Sequence, residues 1–206
     1  MPGRRLIYLS SAASQWVLAA IVYWRARVRG YSLRSLGVVA SPAALLAFVG
    51  VGIAIYLIAI QFFVIRRALK AAPQLVQKSR TMQIMQRLMP VNQSEIPAFI
   101  LLAVTAGACE EFLYRGFVYS HLASFAGVWL ALLASSALFG VAHLYQGRQG
   151  VIGTFVIGSI LGGGRLWTGS ILPGAIAHFL FDLSAGLIVA SWIRRAASAL
   201  PAQDSA

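Results

Sequence analysis

The chain has 206 residues, 59% of them hydrophobic and only 11% charged, with a mean hydropathy of +0.78. Soluble domains carry about 25% charged residues, so a disordered chain, a coiled coil and an ordinary cytosolic enzyme are excluded, and the apolar runs that fill most of the length read as one integral membrane domain over 1–206. The single cysteine, Cys109, excludes a disulfide framework and every multi-cysteine metal site.

The net charge of +12 is unevenly placed. Residues 1–94 hold 12 Lys and Arg and no acid, whereas residues 95–206 hold five of each sign. Most of the basic residues flank apolar runs, where they anchor helix ends to anionic head groups and set orientation. No nucleic-acid partner is expected; the expected partners are the bilayer and a peptide or membrane-protein substrate.

A spanning helix needs about 20 predominantly apolar residues. The first run, at about 6–24, contains several Ser and a Gln and is expected to be the weakest span; its purely apolar stretch is too short for a signal peptide. A basic link with Arg25, Arg27, Arg29 and Arg34 leads to a long run at about 37–65, whose length predicts tilt or extension past the bilayer. Residues 66–94 carry six basic residues among Leu, Ile, Met and Val, broken by Pro73 and Pro90. With Leu75, Met82, Ile84, Met85 and Leu88 as a stripe, this segment reads as a basic amphipathic helix in the interface, with a solvated linker as the alternative.

Four more runs follow at about 96–120, 128–145, 150–167 and 171–193, punctuated by Gly and Pro near 126–127, 147–150 and 169–174. Gly158, Gly162, Gly163 and Gly164 have the small-residue spacing of close helix contacts. The expected fold is all-α, a polytopic helical bundle of about six transmembrane helices (five to seven). With six spans the basic loop 66–94 puts both termini on the cytoplasmic side but turns Arg25 to Arg34 outward. Five spans, with the first run lying on the membrane, would remove that conflict. The basic loops and small single domain suggest a prokaryotic plasma membrane.

A charge at the bilayer centre costs about 2.5–3.5 kcal/mol on insertion scales, and such groups usually mark function. Glu110, Glu111, Asp182, His143 and His178 all lie inside apolar runs of the C-terminal half, while His121 sits near a helix end. In AGACEEFLYRGF, Glu111 and Arg115 are four apart and can pair on one helix face. Adjacent Glu110 is turned about 100° away, faces no basic residue one turn on, and is left for chemistry. In LFGVAHLY, the ring of Phe139 can pack under His143. In GAIAHFLFD, Asp182 sits one turn from His178 and can orient its imidazole. One carboxylate and two imidazoles can polarise a water, with Glu110 as general base, or bind one divalent metal, zinc above others, through Glu110, His143 and His178. Both readings give hydrolysis of an acyl or peptide bond. A serine-nucleophile elbow, phosphate and dinucleotide loops and HExxH are all missing from the sequence.

These three segments resemble the motifs of the CPBP family (CAAX proteases and bacteriocin-processing enzymes, also called Abi), whose pattern is EExxxR, FxxxH and HxxxN or HxxxB on separate helices. Here they read Glu110-Glu111-Phe-Leu-Tyr-Arg115, Phe139-Gly-Val-Ala-His143 and His178-Phe-Leu-Phe-Asp182, within a core of about 95–195. The resemblance implies an intramembrane endopeptidase, metal-dependent or metal-free, in which Glu110 and His143 activate water and His178 with Asp182 stabilises the oxyanion. Glu111, Arg115 and Phe139 would support them. Asp182 stands where the prenyl-protein endopeptidases have Asn, which points to the bacterial branch, because an ionised carboxylate cannot donate to an oxyanion. The substrate would then be a peptide, a lipidated tail or a membrane protein. Two other classes fit less well. One is a non-catalytic immunity or scaffold protein of the same fold that binds a peptide or membrane partner; the other is a proton-coupled transporter, for which inverted repeats are lacking.

Overall fold

The computed structural model describes residues 3–71 and 80–198. Among them there are helices and turns and no strand. In chain order the helices are α1 (Arg4–Val28), α2 (Ala43–Ala71), α3 (Arg80–Leu88), α4 (Ile96–Glu111), α5 (Tyr119–Ala126), α6 (Val128–Ala142), α7 (Gly147–Thr168) and α8 (Leu172–Ser198). A stretch of π-helix, Phe112–Val118, joins α4 to α5 without a break. Among the described residues, four stretches are long and apolar enough to cross a membrane: Arg4–Val28, Ala43–Arg67, Gln93–Ala126 and Leu144–Thr168. Val128–Ala142 and Leu172–Ile188 are shorter apolar helices. All six expected runs are thus helical, and the chain is a polytopic helical membrane protein.

The boundaries differ from the expected ones for identifiable reasons. The second helix starts only at Ala43, because residues 29–42 form an irregular strap whose turns use Gly30 and Gly37 at positive φ. Helix α2 runs on through Arg66, Arg67 and Lys70 to Ala71, so the front of the expected interfacial segment is the basic end of a membrane helix. Its middle, residues 72–79 with Pro73 and Leu75, lies outside the described residues. Its last part is α3, which packs against α8 and α7 with Ile84 and Leu88 half-buried. The least apolar of the four long spans is Leu144–Thr168 and not the first, because its glycines and Arg148 and Arg165 outweigh the serines of α1.

Helix α4 begins where it does because Glu95 closes a capping box. Its carboxylate accepts from the backbone N–H groups of Val91 and Asn92 at 2.8 and 3.1 Å. Pro97 in the first turn needs no hydrogen-bond partner for its nitrogen. Gly127, at φ +80°, separates α5 from α6.

Packing is inside-out relative to a soluble protein. Phe48, Phe125, Trp129 and Trp167 are exposed on the outer surface, where acyl chains solvate them at no cost. Small residues and a few polar ones fill the interior. Helix α2 lies along α8, α6 along α7, and α4 along both α1 and α8. One core cluster joins Ala54, Leu57, Leu161 and Ala177. Close approach depends on glycine: a Cβ on Gly107 would lie 2.7 Å from the Ala175 carbonyl oxygen, and one on Gly140 would lie 2.9 Å from that of Val151. Gly158, Gly162 and Gly164 meet Arg115, Leu132 and Ile53 in the same way, whereas Gly163 faces open space.

Candidate active site

The site is built where the C-terminal end of α4, the C-terminal end of α6 and the N-terminal half of α8 meet. Glu111 is its buried hub, with no exposed side-chain surface. Its Oε1 accepts from Arg115 Nη1 at 2.7 Å and from His178 Nδ1 at 3.1 Å. A buried carboxylate is costly unless paired and hydrogen-bonded, and here two donors share one oxygen. Arg115, itself 1% exposed, lies over the Phe139 ring with its guanidinium carbon 4.3 Å from the ring centroid. Two glycines make room for this knot. A Cβ on Gly174 would come within 2.7 Å of Glu111 Oε2, and one on Gly158 within 2.7 Å of Arg115 Nη2.

Glu111 rather than Asp182 therefore orients His178. A carboxylate only accepts, so Nδ1 of His178 carries the proton that points to Glu111, and Nε2 is turned the other way. There it lies 3.6 Å from Asp182 Oδ2 and 4.0 Å from Glu110 Oε2. Both separations exceed a direct hydrogen bond, and a water can bridge Glu110 and the imidazole only from beside the line that joins them. The side chains of Glu110 and Asp182 retain 21% and 36% of their exposure. These two carboxylates are accessible and Glu111 is not, which separates the reactive candidates from the structural one.

His143 caps the end of α6, just past Ala142. Its Nδ1 donates to the Phe139 carbonyl at 2.8 Å, which leaves the lone pair on Nε2. Phe139 touches both histidines, with ring centroids 4.8 Å from His143 and 5.7 Å from His178. His143 is also close enough to Glu110 and Asp182 to interact with both electrostatically. Phe139 thus holds the two histidines side by side, and Glu110 and Asp182 lie next to His178. His121 is not among them; it stacks on Phe117 and bonds Tyr31 on the far side of the π segment.

One contact was not foreseen. Glu110 is not free of partners, because its Oε1 accepts from Gln15 Nε2 of α1 at 3.0 Å. The signal in the sequence was a lone amide in an apolar run. Among the described residues, no group of three or more His, Cys, Asp or Glu side chains is arranged to hold a metal ion, and Glu110, His143 and His178 do not form such a set. No step proposed for this site passes through a metal.

The curated proteins and the solved structures give no match to the chain. Residues 92–184, just under half of the chain, match the family model described as type II CAAX prenyl endopeptidase Rce1-like. That stretch begins at the cap of α4 and contains all three motifs, from Glu110 to Asp182. Residues 92–184 of this membrane protein are thus similar to the type II CAAX prenyl endopeptidase Rce1-like family.

Proposed function

We propose that the chain is an intramembrane endopeptidase that hydrolyses a peptide bond by a glutamate-dependent addition of water. The observation that carries this reading is that Glu110 Oε2 and His178 Nε2 face each other at 4.0 Å without a direct hydrogen bond, while the bond from His143 Nδ1 to the Phe139 carbonyl leaves the His143 lone pair on Nε2. A water bridging Glu110 and His178 from beside the line that joins them gives one proton to Glu110 Oε2, while its other O–H stays on the oxygen and donates a hydrogen bond to His143 Nε2. Its oxygen attacks the peptide carbonyl carbon, and the carbonyl electrons move onto oxygen. His178, with a proton on each nitrogen, donates from Nε2 to the oxyanion. The carboxylates of Glu110 and Asp182 supply the counter-charge for that cation. When the tetrahedral adduct collapses, the C–N bond breaks and Glu110 returns its proton to the leaving amine.

The substrate class is a peptide, a lipidated tail or a membrane-protein segment that enters from the bilayer or the cytoplasmic side. The basic loops favour a prokaryotic plasma membrane with both termini cytoplasmic, and Asp182 in place of Asn favours the bacterial branch. The test is purified full-length protein in detergent with internally quenched CAAX peptides, prenylated and unprenylated. The wild type cleaves one of them, and Glu110→Gln does not while keeping its folded yield. Equal turnover by the two proteins overturns the reading.

A further inference from the structure

We infer that Gln15 is a positioning residue for Glu110, so that α1, which lies outside the family-matched stretch 92–184, is part of the catalytic unit. The inference rests on the endopeptidase reading and adds a residue to it.

The geometry is specific at three points. The Gln15 amide donates to Glu110 Oε1 at 3.0 Å, and this leaves the other oxygen, Oε2, as the one facing His178. Rotation of the carboxyl group about its last bond is thereby stopped with one oxygen committed to the amide and one to the reacting space. The same amide presents Oε1, buried and with no hydrogen-bond partner. Glu110 takes the water's proton on Oε2, so its Oε1 stays an acceptor and the Gln15 N–H keeps its partner before and after the transfer. An amide serves both protonation states of a carboxyl group; a hydrocarbon serves neither.

Helix α1 is pinned so that Gln15 cannot drift. Arg5 Nε donates to the Ser94 carbonyl at 2.8 Å, Tyr8 Oη to that of Leu88 at 2.6 Å, and Trp16 Nε1 to Thr105 Oγ1 at 3.2 Å. The Tyr8 ring also packs edge-on against Phe99, with centroids 5.6 Å apart. These ties reach the α3–α4 turn and the flank of α4, and they fix the height and rotation of α1. The rest of the helix turns Val17, Leu18, Ile21 and Trp24 outward. A rotation of α1 carrying Gln15 to the same side would expose an unpaired amide to hydrocarbon, which is costly.

The experiment uses the full chain with Gln15→Leu, which is apolar and similar in size, and Gln15→Asn, which keeps the amide one methylene shorter. Two quantities are read. The first is the Glu110 carboxyl band, isolated as the wild-type minus Glu110→Gln infrared difference spectrum, which needs no substrate. The second is the split between kcat and KM on the quenched peptide. Gln15→Leu shifts the band and lowers kcat on the order of ten- to a hundredfold, the scale of one hydrogen bond to a charged group. KM stays within about twofold, because the contact does not touch substrate. Gln15→Asn recovers part of the lost kcat. An unmoved band in Gln15→Leu overturns the contact, and a moved band with wild-type kcat overturns the positioning role. Full turnover by Glu110→Gln overturns the glutamate-dependent mechanism instead, no cleavage by the wild type overturns the peptidase reading, and the band still decides whether Gln15 holds Glu110.

Discussion

Gly107 sets the distance between the two helices that carry the acid and the imidazole, and replacing it with alanine measures how much that distance matters. Gly107 lies three residues before Glu110, and its missing side chain faces Ala175 and Phe179, which flank His178 along α8. An alanine Cβ would lie 2.7 Å from the Ala175 carbonyl oxygen, 3.1 Å from the Phe179 nitrogen and 3.2 Å from Phe179 Cβ. Ordinary contact begins about 0.7 Å farther out than the shortest of these. The closest neighbours are backbone atoms, so no rotamer change relieves the overlap and α4 and α8 must part by several tenths of an ångström. Overpacking of this kind costs about 1–3 kcal/mol. The larger effect is on catalysis. A displacement approaching 1 Å costs about a hundredfold in rate, so Gly107→Ala is expected to lower kcat on the order of ten- to a hundredfold while still folding. Thermal unfolding in detergent and single-turnover cleavage of a quenched peptide give the two quantities separately. Gly163→Ala is the control, because a Cβ there meets nothing within 4 Å and alanine is the better helix former by about 1 kcal/mol. Wild-type kcat and melting temperature in Gly107→Ala would refute the claim that this contact sets the site.

Three further outcomes follow from the hub. Glu111→Leu leaves the buried Arg115 guanidinium without its carboxylate and destabilises the protein by about 3–5 kcal/mol; adding Arg115→Met restores most of the melting temperature but not turnover, since His178 still lacks the acceptor on Nδ1. Asp182→Asn keeps turnover within about tenfold of wild type, because Glu111 and not Asp182 orients the imidazole and an amide can itself donate to the oxyanion; loss as deep as in Glu110→Gln contradicts this. Dialysis against a chelator leaves peptide cleavage within about twofold, and a loss restored by zinc would assign the site a metal.

The sequence displayed the helical bundle well, because apolar runs of spanning length leave little choice of structure. Two contacts were legible from spacing within a helix: Glu111 pairs with Arg115 at i to i+4, and Phe139 lies against His143. What spacing within one helix cannot display is a partner on another helix. Asp182, one turn from His178, is the local candidate for orienting it, yet Glu111, 67 residues away in sequence, takes Nδ1. Gln15 reaches Glu110 across 95 residues for the same reason. The glycines at 107, 158 and 174 are also matters of interhelical approach. Their roles become visible only when a Cβ is placed against the opposing helix, whereas the glycine run at 158–164 at least announced close packing through its spacing. Arg66 and Arg67 read in sequence as the start of an interfacial segment, yet the helix continues to Ala71, because long basic side chains at a helix end reach head groups without ending the helix.

The most direct measurement is cleavage of a peptide in H₂¹⁸O with mass spectrometry of both fragments. A glutamate-activated water places one ¹⁸O in the new carboxyl terminus in the wild type, and Glu110→Gln yields no such product at equal folded concentration. Labelled product from Glu110→Gln at the wild-type rate would contradict the central claim that this carboxylate activates the attacking water.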